Sequence, residues 1–123
     1  MDKATLDRQI KEATQAHGAW KQKLCEAVKS GTLPKPARDI ACDDQCSFGK
    51  WLHMLKADST VAVSMHFRRV MVMHADFHKE AGRIAGLIED GASAQALAAL
   101  NGSNLQDRSG KLEAAMADWA RNL

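Results

Sequence analysis

The chain has 123 residues, 46% hydrophobic and 26% charged, with a formal net charge of +2. That length supports one domain with one modest core, residues 1–123. The near-neutral balance argues against a nucleic-acid partner or an anionic membrane surface, and no apolar run approaches the roughly 18 residues of a membrane span.

Met1-Asp2-Lys3 opens a polar stretch, not a signal peptide. Three cysteines, an odd number, argue against a secreted disulfide framework. A cytoplasmic chain with reduced thiols and no membrane contact is the expectation. Many alanines, only two prolines and no tyrosine favour helix over sheet.

In chain order, Leu6, Ile10, Ala13, His17, Trp20, Leu24 and Ala27 recur every three or four residues and predict an amphipathic helix over 4–29. Residues 30–43 read as a linker, because Gly31 breaks that helix and Pro34 and Pro36 forbid its restart. Asp43 or Asp44 is the expected N-cap of a short helix over 45–55, with Phe48, Trp51, Leu52 and Leu55 on one face. After Asp58-Ser59-Thr60 a long helix is expected over 61–89. Its stripe is Phe67, Val70, His74, Phe77, Ala81, Ile84 and Ile88, widened by Met71, His78 and Ala85. A last helix is expected from Ala92 through Leu97, Leu100, Leu105, Leu112, Met116 and Trp119, weakened at Asn101-Gly102-Ser103-Asn104. The fold class is all-α: an antiparallel bundle of three long helices plus one short one.

Five histidines and three cysteines are the unusual part of the composition. His74 and His78, at i and i+4, project from one helix face and can approach one metal ion. The segment lacks the Glu directly after the first His that a zincin helix uses as general base. His17 sits in the apolar stripe of the first helix, and burying three unpaired imidazoles together is costly unless a metal is shared. Cys46 falls in the first turn of the short helix, where the helix dipole favours a thiolate. Cys42 in the linker is its rival, and Cys25 reads as packing. His53 and His66 read as solvent-facing or helix-end residues. Asp43, Asp44 and Asp76 are candidates for orienting the imidazoles. Three His and one Cys make a closed N/S donor set suited to zinc. The inward Glu residues and Glu-x-x-His spacing of a di-iron bundle are missing.

The combination Ala16-His17 with Trp20, then Cys46-Ser47-Phe48-Gly49-Lys50-Trp51-Leu52, then His74-Ala75-Asp76-Phe77-His78, resembles the chemoreceptor zinc-binding (CZB) domain family over about residues 6–90. The resemblance implies a cytoplasmic bacterial helical bundle, usually homodimeric, that binds one Zn²⁺ through His17, Cys46, His74 and His78. It implies a regulatory, non-enzymatic role, with zinc occupancy or oxidation of Cys46 by hypochlorous acid modulating signalling. The implied output is a chemoreceptor or a diguanylate cyclase, in cis or in trans. Two other readings stand beside it: a metal-dependent hydrolase with an open zinc position, and a metal-free helical interaction module.

Overall fold

A computed structural model of the chain describes residues 2–123. Among the described residues there are seven helices and no strand: α1 (Lys3–Ser30), α2 (Ala37–Ile40), α3 (Ser47–Leu55), α4 (Ser59–Ala62), α5 (Met65–Glu89), α6 (Ser93–Leu100) and α7 (Ser103–Arg121). None of them is long and apolar enough to cross a membrane.

The first helix begins where Asp2 accepts a hydrogen bond from the Thr5 amide at 2.9 Å. It ends at Gly31, whose φ of 75° lies in the left-handed region. There the Gly31 and Thr32 amides return to the Val28 and Ala27 carbonyls, which closes the helix as a Schellman turn. Leu6, Ile10, Ala13, His17, Leu24 and Ala27 of the predicted stripe are buried, and Trp20 is half-buried.

Four expectations are corrected. The linker contains a helix, α2, with Ala37 and Ile40 buried. The N-cap of α3 is Cys46, not Asp43 or Asp44; its Sγ accepts from the Gly49 amide at 3.3 Å. The helix expected over 61–89 is two pieces, because the Ser64 hydroxyl takes the Phe67 amide and starts α5 afresh after α4. The last helix is also two pieces: α6 ends at Leu100, and Gly102 in extended conformation is the N-cap of α7. Leu97, one of the apolar residues the last helix was expected to run through, is 36% exposed.

The core is built around α5, which packs most extensively on α7 and then on α2, α6, α1 and α4. All seven residues of its predicted stripe are buried. Phe77, Ala81, Ile84, Leu105 and Leu112 are fully inaccessible. Trp119 of α7 closes one end against Trp51 and Phe67, with ring centroids 5.8 and 5.7 Å away. This packing leaves the inward faces of α1 and α5 and the first turn of α3 at one place.

Candidate metal centre

The i, i+4 spacing on α5 brings His74 and His78 to the same side, with ring centroids 4.6 Å apart. The N-cap of α3 sets Cys46 against them: its Sγ lies 3.5 Å from Nε2 of His74 and 3.5 Å from Nε2 of His78. The donor atoms of these three residues all lie within 4.8 Å of one another. Both histidines are buried and the cysteine is half-buried. Phe48, two residues after Cys46, stacks on the His74 ring at 4.5 Å and 18°.

The set can be tested against zinc chemistry. With Zn–S about 2.3 Å and Zn–N about 2.0–2.1 Å, a tetrahedral site has an S···N edge of about 3.6 Å. Both S···N separations match that edge. The tautomer of His78 agrees too. Its Nδ1 donates to the Ile40 carbonyl at 2.8 Å, which leaves the Nε2 lone pair facing the sulfur. The Nδ1 of His74 is buried with no hydrogen-bond partner among the described residues. The donors present therefore fit a zinc ion.

Burial governs the protonation of these groups. It pushes His74 down to about 3 and His17 down to about 4, each helped by neighbouring cationic or imidazole groups. It also lowers His78, against the opposing pull of the Ile40 hydrogen bond. The imidazoles are thus neutral near pH 7, as metal ligation requires. The expectation that the helix start alone favours a Cys46 thiolate is corrected. The Gly49, Cys46 and Phe48 amides do pull its pKa down, but burial outweighs them and raises it. A cation beside the sulfur is what would make it a thiolate.

His17 is buried on α1, yet it falls outside the group of converging donors. Its Nε2 lies 3.1 Å from the Ser109 hydroxyl of α7, and its ring packs edge-on to Phe77 at 4.5 Å. It shares with Cys46, Phe48, His74 and His78 the wall of a pocket of about 240 Å³. A second pocket of about 230 Å³, lined by Trp20, Leu24, Pro34 and Ile40 among others, also reaches Cys46 and His78.

The remaining candidates lie apart from the donor group. Cys25 is half-buried, and Cys42 is exposed with its Sγ 3.2 Å from the Arg38 carbonyl. His53 Nε2 is 3.5 Å from Asp43 Oδ1. His66 is half-buried. Asp76 pairs with Arg108 at 3.3 Å, and Asp44 accepts from the Gln45 side chain at 3.5 Å. Asp43 approaches the site through its main chain: a Cβ on Gly49 would overlap the Asp43 carbonyl oxygen and sit 3.1 Å from His74 Cε1. Sequence reasoning missed two groups, the Ile40 carbonyl and the Ser109 hydroxyl. The one signal for the first was Gly82, a glycine one turn after His78 inside a helix.

An all-α chain that sets a half-buried thiol against two buried imidazoles presents a possible metal site. The chain belongs to the chemoreceptor zinc-binding domain family, whose family model matches residues 17–85. The match opens at His17 and takes in Cys46, His74 and His78, while α6 and α7 lie beyond it. Members of this family are typically sensory and non-catalytic. No curated protein and no solved structure matches the chain.

Proposed function

We propose that residues 1–123 form a single zinc-binding regulatory domain of a bacterial cytoplasmic signalling system. In this reading Cys46, His74 and His78 hold the metal, and His17, on the wall of the same pocket, is the fourth ligand. The observation that carries it is the convergence of Cys46 Sγ with two imidazole Nε2 atoms at 3.5 Å each. Bound zinc would supply a fixed point of positive charge that joins these side chains and stabilises the thiolate.

The chain's own residues supply the rest. The Ile40 carbonyl orients His78, Phe48 covers His74, and the Gly49 amide points at the sulfur. Cys46 is the moving part. Hypochlorous acid takes two electrons from the thiolate: sulfur gains the OH as sulfenic acid and chloride leaves. The sulfenic acid is a poorer ligand, so the first turn of α3 is released and the change is read by a partner. The partner is a second copy of the chain together with a chemoreceptor or diguanylate cyclase output, in cis or in trans.

Metal analysis of the purified protein tests the site. About one zinc per chain is expected, with large losses in Cys46→Ser and His74→Ala; undiminished zinc in both variants would sink the assignment.

The Ser109 contact of His17 supports a second reading, in which three protein donors leave the fourth position to water. Absorption spectra of the cobalt-substituted protein separate the two, since His17→Ala alters the ligand field only if His17 binds. A hydrolase built on that open position would need a nearby base, and Asp76 is engaged by Arg108. A metal-free interaction module is the third reading; unfolding unaffected by a chelator would favour it.

A further inference from the structure

The short helix α2 is docked on α5 at both of its ends. At its start the Ala37 amide donates to Glu89 Oε2 at 2.9 Å. At its end the Ile40 carbonyl accepts from His78 Nδ1 at 2.8 Å. Between these two contacts on α5 stands Gly82, one turn beyond His78 and on the same face. A Cβ on Gly82 would overlap the Ala41 Cβ and lie 2.7 Å from Ala41 Cα and 3.0 Å from its nitrogen. Two of those atoms are main chain and cannot swing aside. Gly82 is not a positive-φ residue, so its backbone does not require glycine. Alanine is the better helix former, so glycine there needs another reason. Gly86, one turn further along the same helix, has open space around it.

We propose that α2, seated on α5 through the bare position at Gly82, is a positioning element for His78. It holds the ring in the Nδ1–H form, with the Nε2 lone pair toward Cys46, before any metal arrives. A neutral imidazole carries one N–H, so donating it to Ile40 leaves Nε2 as the acceptor. Among the described residues His74 has no equivalent lock, because none of them hydrogen-bonds its buried Nδ1. The two histidines of the pair are therefore unequal: His78 is pre-set and His74 is not. The purpose of this seat rests on the zinc reading above; its geometry does not.

The test compares Gly82→Ala, Gly86→Ala and the double variant Gly82→Ala/Ala41→Gly in the full chain. One readout is the imidazole ¹⁵N spectrum of the metal-free protein, which reports the tautomer. The other is zinc affinity by competition with a chromophoric chelator. Wild type and Gly86→Ala are expected to hold His78 as Nδ1–H. Gly82→Ala is expected to show mixed tautomers and to bind zinc about 10- to 100-fold more weakly. Removing the Ala41 Cβ should restore part of both. Wild-type tautomer and affinity in Gly82→Ala would overturn the proposal, as would an Nε2–H tautomer in wild type.

Should Gly82→Ala fail to fold, Glu89→Ala frees only the start of α2. It is expected to mix the His78 tautomers, and an unmixed spectrum there overturns the proposal. A wild-type chain that binds no zinc yet keeps His78 as Nδ1–H defeats the metal reading and upholds the seat.

Discussion

Cys42 is the exposed thiol and Cys46 the half-buried one whose pKa burial raises. Exposure alone therefore ranks Cys42 first. With a chelator present, iodoacetamide or dilute hypochlorite is expected to modify Cys42 before Cys46, read by peptide mass spectrometry. With zinc loaded and hypochlorite as reagent, the order is expected to reverse, because only then is the Cys46 sulfur a thiolate. The same order in both states would count against Cys46 as a ligand. The buried histidines make a pH prediction for the metal-free chain. Their folded values, about 4 for His17 and about 3 for His74, lie below the ordinary 6.5. Between those limits the unfolded chain binds more protons, so stability is full above pH 6.5 and falls as the pH drops below it. The slope approaches on the order of 1.4 kcal/mol per pH unit for each histidine. Urea unfolding at pH 7.5 and 5 measures it, and equal midpoints would refute it. Cys46, His74 and His78 were legible in the sequence because side-chain identity and i, i+4 spacing carry their chemistry. The Ile40 carbonyl was not, since a backbone acceptor has no residue type to announce it. His17 was legible as buried, but its Ser109 contact depends on which part of α7 docks beside α1.

Helix periodicity revealed which faces are buried, and it did so because apolar spacing survives any local break. It missed the restart at Ser64, and at Gly102 it marked a weak point but not a full break. It also failed in the proline-rich stretch, where Pro36 in extended conformation precedes Ala37 and so opens α2 instead of forbidding it. Element ends therefore make sharper tests than element faces. Gly31→Ala puts a Cβ into a left-handed conformation and is expected to cost about 1–2 kcal/mol in urea unfolding. No loss would mean that the turn after α1 has another conformation open to it. On the zinc reading, α3 is fastened at its first turn by Cys46. Amide exchange over residues 47–55 is then expected to slow on zinc addition more than exchange over α7. Equal changes in the two helices would deny α3 that role.

Over the whole molecule, the most extensive helix contact is that of α5 with α7, and Leu112 of α7 is fully buried in the core. Leu112→Ala is expected to cost about 2–5 kcal/mol, a large share of the roughly 5–15 kcal/mol typical of a domain. An unfolding midpoint within error of wild type would contradict that burial. Zinc at about 100 times its dissociation constant would add about 2.7 kcal/mol if it binds only the folded chain. The two small pockets that meet at Cys46 have a further consequence. Each offers about 230–240 Å³ of space beside the half-buried sulfur, so a few-atom oxidant can reach the thiol without α1, α3 and α5 first parting.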